Sequence, residues 1–180
     1  MGVTNGKDQI VLGTRGGMAV RFEETEVRDM GRQAGGVKGI ELDKDDVVID
    51  MVIIPQGLDH GDNQVTLLTA CEHGFGKRTR IEEYRLTHRG GKGVINIRTT
   101  DRNGPVVSVQ AINDSDELMI ITKGGQVVRI GVTGELREMG RATQGVRLIR
   151  LDENDILVGV ARVAPEDTEG DAPLLEQNPE

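Results

Sequence analysis

The chain has 180 residues, of which 36% are hydrophobic, 29% are charged and 2% are aromatic, with 25 glycines and one cysteine. This apolar content can form a core, whereas three aromatic residues are too few to stack single-stranded bases and one cysteine allows no internal disulfide or cysteine-rich zinc site. The net charge of −8 is unevenly distributed, because residues 164–180 hold six acids and no base, and we expect this tail to be disordered.

No apolar run approaches the roughly 20 residues of a membrane helix, and no signal peptide is recognisable. We therefore expect a cytoplasmic protein that does not contact a membrane.

One pattern occurs three times along the chain. Each copy holds a glycine turn, a Glu-x-Arg motif, a further arginine four residues later and then a Gly-Val pair. The Gly-Val pairs begin at Gly36, Gly93 and Gly145, at separations of 57 and 52 residues. We predict blade repeats at 1–55, 64–112 and 113–163, with a connecting loop at 56–63 and the tail at 164–180.

Each repeat has the composition and spacing of β structure. The first strand is rich in Val, Ile, Leu and Thr and is predicted at Gln9–Leu12, Val65–Thr69 and Leu118–Thr122. Glycine turns lead to a second strand at Met18–Phe22, Lys77–Ile81 and Gln126–Ile130. A third strand is expected to begin at Val37, Val94 and Val146, and a last one to occupy Val47–Ile54, Val106–Ile112 and Ile156–Val163.

Four short strands in every ~50 residues, without a helical period, indicate an all-β fold of the propeller type. The prediction is three four-stranded antiparallel blades. Because closed propellers need ~4–8 blades, we expect these three to belong to a larger disc.

The sequence offers little support for catalysis. The only two serines lie in or beside a predicted strand, and the three histidines lack the spacing of metal ligands. The glycine-rich segment Gly74–Thr79 lacks the first glycine of a phosphate-binding loop and precedes no helix, so we interpret it as a hairpin turn. We expect no cofactor, no metal and no catalytic residue in this chain.

Arginine is the polar residue type that recurs with the repeat. Aligning Gly17, Gly76 and Gly125 gives three sets of equivalent arginines: Arg21, Arg80 and Arg129; Arg28, Arg85 and Arg137; Arg32, Arg89 and Arg141. Blades related by rotation would carry each set as a curved row, which suits the phosphate backbone of bent duplex DNA. The third set is expected to contact DNA, and the first set is undecided. Glutamates two residues before the second set make structural ion pairs an equal alternative there.

One loop carries a family resemblance. Residues 87–93, Thr-His-Arg-Gly-Gly-Lys-Gly, resemble the Gln-Arg-Arg-Gly-Gly-Lys-Gly box in the C-terminal domain of the DNA gyrase A protein at five of seven positions. Segments 35–40, 74–79 and 140–146 are similar to the later repeats of that domain, so the resemblance covers about residues 7–163. Such domains are six-bladed β-pinwheels that wrap DNA, and this chain resembles their last three blades. The family's box belongs to the first blade, whereas the near-copy here lies in the second repeat.

The resemblance implies a non-catalytic module that binds and wraps duplex DNA for an ATP-dependent type IIA topoisomerase, directing strand passage and supercoiling. Catalytic residues would then lie outside this chain. A topoisomerase IV C-terminal domain is the alternative within the family, and a propeller-like scaffold for protein partners is the alternative outside it. The implied partners are double-stranded DNA, through its phosphate backbone, and the catalytic core and other subunit of the gyrase holoenzyme. A second copy could also bind through open blade edges, and the implied location is the nucleoid.

The predicted DNA-binding residues are Arg32, Lys38, Lys77, Arg78, Arg85, His88, Arg89, Gly90, Gly91, Lys92, Arg141 and Arg147. A second group comprises Arg21, Arg28, Arg80, Arg129 and Arg137. The second repeat is expected to contribute most, because residues 64–112 carry eight basic and four acidic residues.

Overall fold

The computed structural model describes residues 2–60 and 65–163, so the acidic tail and part of the connecting loop lie outside the described residues. Eleven β-strands occupy Gln9–Thr14 (β1), Met18–Glu23 (β2), Val48–Ile54 (β3), Thr66–Cys71 (β4), Phe75–Arg80 (β5), Val94–Ile95 (β6), Val106–Ile112 (β7), Glu117–Thr122 (β8), Val127–Gly131 (β9), Val146–Arg147 (β10) and Leu157–Val163 (β11). Single 3-10 turns follow β2 and β5, at Glu24–Glu26 and Ile81–Glu83. The all-β prediction is confirmed.

The strands form three antiparallel sheets, one per blade, in the orders β3-β1-β2-β6, β7-β4-β5-β10 and β11-β8-β9. The last strand of each repeat is the inner strand of its sheet, and β7 packs against both β3 and β11. The outer edge of the first two sheets is a strand of only two residues. Inner strands therefore lie next to one another, and the short outer strands lie at the perimeter.

The outer strand of each complete sheet comes from the following repeat. Strand β6 pairs with β2, bringing Val94 opposite Ala19, and β10 pairs with β5, bringing Val146 opposite Gly76. The strands expected at Val94 and Val146 thus exist, but each completes the preceding blade. The strand expected at Val37 does not form, because the described residues contain no preceding blade to which it could add. The third sheet has three strands, because the described residues contain no following repeat that could supply the fourth.

The hairpins correct the alignment of the repeats. Gly17, Gly74 and Gly125 each end a turn with φ between +77° and +89°, a backbone conformation that glycine adopts without penalty. Gly74 is therefore the equivalent of Gly17, whereas Gly76 lies inside β5. The residue equivalent to Arg21 is consequently Arg78 and not Arg80.

The hydrophobic core lies between the blades. One cluster joins Val11 and Ile54 of the first blade to Leu67 and Tyr84 of the second, all of them buried. A second cluster joins the second blade to the third, and includes Leu68, Ile112, Leu118 and Leu157. Each blade therefore depends on a neighbouring blade to bury its apolar side chains.

The exchanged strand predicts that alanine destabilises the protein more at Gly93 than at the equivalent Gly36. A Cβ at Gly93 would lie 2.2 Å from the carbonyl oxygen of Ala19, whereas a Cβ at Gly36 would meet nothing within 4 Å, and both residues have positive φ. Gly36→Ala should cost about 1–2 kcal/mol for the left-handed backbone. Gly93→Ala should cost at least ~2 kcal/mol more, because the exchanged strand must move away. Urea denaturation of both variants measures the difference, and equal midpoints would contradict it.

Candidate nucleic-acid interface

The Arg21 side chain forms hydrogen bonds between the first blade and the second. Its Nη1 donates to the carbonyl oxygens of Ile81 at 2.9 Å and Tyr84 at 3.0 Å, and its Nη2 lies 2.9 Å from a carboxylate oxygen of Asp59. The side chain is 6% exposed, and this burial lowers its pKa against the opposing effect of Asp59. The buried position of Arg21 argues against a contact with a phosphate outside the protein, which the sequence had left undecided.

Arg78 makes the same connection at the next junction. Its Nε donates to the carbonyl oxygen of Leu136 at 3.1 Å, and its guanidinium forms an ion pair with Asp114. The side chain is 13% exposed. These contacts join the third blade to the second and argue against the predicted contact of Arg78 with DNA.

Arg129 occupies the third equivalent position but remains on the surface. It forms an ion pair with Glu117 of its own hairpin, and its side chain is 62% exposed. The described residues contain no further blade on which it could act. Arg80, two residues out of register with this set, is half exposed and paired with Glu138 and Glu82.

The third arginine set also serves the junctions. The carboxylate of Glu26 accepts a hydrogen bond from the backbone N–H of Arg89 at 3.0 Å, and the Arg89 guanidinium donates to the carbonyl oxygens of Glu26 at 3.0 Å and Lys38 at 2.9 Å. At the next junction Glu83 accepts from the N–H of Arg141 at 3.1 Å, and Arg141 donates to the Ile95 carbonyl at 2.7 Å. Both guanidiniums have donors engaged with main-chain oxygens.

The second arginine set is exposed. Arg28, Arg85 and Arg137 follow the 3-10 turn or its equivalent in each repeat, and none has a carboxylate oxygen within 4.0 Å among the described residues. The glutamates at two residues before Arg28 and Arg85 bind the next repeat instead. The alternative of ion pairs within Glu-x-Arg is therefore not realised. Arg32, the first member of the third set, is likewise exposed without such a partner in that part of the chain.

The loop at residues 87–93, which resembles the family's box, lies against residues 39–41 of the first repeat. The N–H of Gly90 donates to the Gly39 carbonyl at 2.6 Å, and the Gly91 carbonyl accepts from the N–H of Glu41 at 2.9 Å. The N–H of Gly90 is thus already used and is not free for a phosphate.

The basic side chains around this loop stay near the surface but have acidic neighbours. Lys92 is 3.3 Å from Asp43, Lys38 is 4.0 Å from Glu41, and His88 is 3.1 Å from Glu26. Their attraction for an anion is partly offset by these carboxylates.

Lys77 is buried at the second junction. It is 0% exposed, and its Nζ donates at 2.8 Å to the Thr79 hydroxyl and to the carbonyl oxygens of Gly140 and Arg141. Burial lowers its pKa to about 8. Lys77 therefore binds the loop of the third repeat to the second blade, and its complete burial argues against the predicted contact with DNA.

Arg147 of β10 is exposed at the perimeter, as a DNA contact requires. Sequence reasoning missed its neighbours Arg98, Arg102 and Arg150, which are also exposed. These three fall outside the arginine sets of the repeat, so the aligned pattern contained no signal for them. Only the exchanged strand brings repeat three beside repeat two at this edge.

Residues 2–60 and 65–163 contain no group of three or more His, Cys, Asp or Glu side chains that could hold a metal ion. Within the same residues, no helix has the length and apolar character needed to cross a membrane.

Comparison with known proteins gives consistent matches. The family model described as "DNA gyrase C-terminal domain, beta-propeller" matches residues 8–55, 66–113 and 116–164. The DNA gyrase A protein of Salmonella typhimurium is 44% identical over 162 residues, which are 90% of this chain and 18% of that protein. The chain thus spans about a fifth of the length of the curated relatives it matches.

Solved structures share the fold. A structure of the DNA gyrase A C-terminal domain matches with a TM-score of 0.79 and 25% identity, covering 89% of this chain and 52% of that one. The C-terminal domain of DNA topoisomerase IV matches with a TM-score of 0.80 and 26% identity, covering 90% and 48%.

Replacement by alanine should destabilise the protein far more at Arg21 than at the equivalent Arg129. Arg21→Ala removes a buried guanidinium that donates to two carbonyl oxygens and pairs with the Asp59 carboxylate, and should lower the free energy of unfolding by roughly 2–5 kcal/mol. Arg129→Ala removes an exposed ion pair and should cost less than about 1 kcal/mol. Urea denaturation compares the two. A cost for Arg129→Ala equal to that for Arg21→Ala would contradict the assignment.

Lys77 predicts a pH dependence of stability. Its pKa falls from 10.5 to about 8 on folding, so between these values the unfolded chain binds a proton that the folded protein has released. The free energy of unfolding should therefore rise with pH in this window, by on the order of 3 kcal/mol. Burial raises the pKa of Cys71 to about 12, which opposes this trend above pH ~9. The stability difference between wild type and Lys77→Met isolates the lysine, and a difference independent of pH would contradict the prediction.

Proposed function

Because the chain belongs to the DNA gyrase C-terminal domain family of β-propellers, we propose that it is a non-catalytic module that binds and wraps duplex DNA. The observation that carries this proposal is the row formed by Arg28, Arg85 and Arg137. These guanidiniums occupy equivalent positions on three successive blades, are exposed, and have no carboxylate within 4.0 Å among the described residues. A repeating row of free cations suits a ligand with a repeating negative charge, as a nucleic-acid backbone has.

Wrapping is energetically reasonable for such a row. Bending 20–30 bp of duplex through 40–90° costs on the order of 1–6 kcal/mol. Phosphate contacts spread over three blades can offset this cost, because each releases counterions. The arrangement of blades along an arc would hold the duplex in a curved path, and binding would depend little on base sequence.

The module would serve a larger enzyme. We propose that it works with the catalytic core and the other subunit of a gyrase, in the cytoplasm at the nucleoid, and that the residues for cleavage and ATP hydrolysis lie outside this chain. The family match supports this reading, since it is confined to a C-terminal domain. The topoisomerase IV domain has the same fold by TM-score, whereas the match at 44% identity is to a DNA gyrase A protein, which favours gyrase.

A second copy of the chain is a further proposed partner. Strand β9 ends the third sheet, and Met119, Ile121 and Val127 beside it are 36–51% exposed. Residues 36–40, which correspond to β6 and β10, could add to β9 of another copy as those strands add to β2 and β5. Two such chains supply six blades, a number within the range of closed propellers. Sedimentation velocity over a range of concentrations tests this, and a strict monomer would reject it.

The arginine row predicts a change in the salt dependence of DNA binding. Substituting Arg28, Arg85 and Arg137 together by alanine should weaken binding to unrelated duplexes alike. It should also flatten the plot of log K against log salt by roughly two to three units. Band-shift titrations on a duplex of ~100–150 bp at several salt concentrations measure both effects.

The control removes the same charge from exposed arginines that already have acidic partners: Arg15, Arg129 and Arg162. This triple variant should change the slope by less than about one unit. Equal slopes for the two triple variants would show that only net charge matters and would remove the row from the site. Binding by wild type that ignores salt would favour the alternative of a scaffold for protein partners.

A further inference from the structure

The ring of Phe75 lies close to the guanidinium groups of two arginines at the outer edge of the second blade. Phe75 is the first residue of β5, and its ring is almost buried, with 8% of its surface exposed. The guanidinium carbon of Arg102 lies 4.7 Å from the ring centroid and that of Arg147 lies 5.4 Å from it. Both distances are within the ~6 Å range of a cation–π contact.

The two arginines come from different repeats. Arg102 lies in the loop between β6 and β7 of the second repeat, whereas Arg147 lies in β10 of the third repeat and pairs in register with Phe75. Strand exchange is therefore what brings the second cation to the ring. The first and third repeats have Met18 and Gln126 after the hairpin glycine, so among the described blades this arrangement is particular to the second.

Both guanidiniums keep their hydrogen-bonding edges available. Each side chain is exposed, and neither has a carboxylate oxygen within 4.0 Å or a side-chain hydrogen bond among residues 2–60 and 65–163. Lys38, Lys92 and Arg129 are exposed too, but each has an acidic neighbour. A guanidinium that stacks through its face on an aromatic ring leaves its N–H donors free in their plane, and these donors match the oxygens of a phosphate group.

We propose that Phe75, Arg102 and Arg147 form a phosphate-binding site at the perimeter of the second blade. The two arginines bind the phosphate oxygens, and Phe75 is a positioning residue that keeps both guanidiniums together. The inference rests on the proposed function, because the phosphate group it would bind is that of a wrapped duplex. A free phosphate ion presents the same chemistry, so the test treats the two sources separately.

The first arm uses inorganic phosphate and the full chain. Arginine Nε–H signals are followed by NMR during a phosphate titration, with sodium chloride added to matched ionic strength as the reference. The signals of Arg102 and Arg147 should shift with phosphate in wild type and should shift much less in Phe75→Leu, whose charge is unchanged. Equal shifts for all exposed arginines would overturn the site.

The second arm uses duplex DNA. Arg102→Ala combined with Arg147→Ala should flatten the salt slope by roughly two units. Phe75→Leu should weaken binding roughly fivefold to tenfold, as expected for losing two cation–π contacts. Met18→Leu at the equivalent position of the first blade is the matched control and should leave affinity unchanged. Phe75→Tyr keeps the ring and should bind as wild type does, which separates the platform from a general defect in folding if Phe75→Leu is unstable.

The outcomes separate the inference from the function on which it rests. If the Arg28, Arg85 and Arg137 variant loses DNA affinity while both the arginine pair and Phe75→Leu bind normally, the site is wrong and the module still binds DNA. If wild type fails to bind duplex but its Arg102 and Arg147 signals respond to phosphate, the anion site stands and the proposed function falls. Absence of both responses rejects both.

Discussion

The contact between successive blades is the interaction on which this structure depends. Because the clusters around Val11 and Leu68 are each shared by two sheets, a single blade would expose the apolar side chains that it contributes to them. The exchanged strands β6 and β10 then add main-chain hydrogen bonds between repeats. At each junction a guanidinium, from Arg21 or Arg78, donates to main-chain carbonyl oxygens of the next repeat. Repeats joined in this way are stable only as a series, as in other repeat proteins.

This dependence divides the arginines of the repeat by role. The first position after the hairpin lies between blades wherever a blade follows, and the guanidiniums of Arg89 and Arg141 bind main-chain oxygens of the preceding repeat. The remaining position, held by Arg28, Arg85 and Arg137, is exposed in all three repeats. Contacts between blades thus use members of two of the three arginine positions, and the third position is exposed to solvent in every repeat.

The second blade differs chemically from its neighbours. Lys77 replaces a valine found at the equivalent position of the other two repeats, and Phe75 replaces Met18 and Gln126. The lysine attaches the third repeat through two hydrogen bonds, to the carbonyl oxygens of Gly140 and Arg141, and the phenyl ring lies close to two exposed arginines. Both substitutions act at the seam where β10 joins β5. The blade with the most positive sequence is therefore also the one in which two exposed arginines meet at the outer edge.

Periodicity and glycine chemistry are local properties. From them the sequence by itself determined the three repeats, the all-β structure and the hairpins at Gly17 and Gly125. The sequence also carried a family resemblance, which comparison confirmed. It did not determine which blade the strand at Val94 completes, nor that Lys77 and Arg21 are buried while Arg28 and Arg85 are exposed. Those outcomes depend on partners 46 to 64 residues away along the chain, such as Gly140 and Ile95, which no local pattern identifies. A strand's edge can pair with any chemically similar edge, and a guanidinium can bind a carbonyl oxygen as well as a phosphate. Only the tertiary structure decides, because it places one of these acceptors within hydrogen-bonding distance.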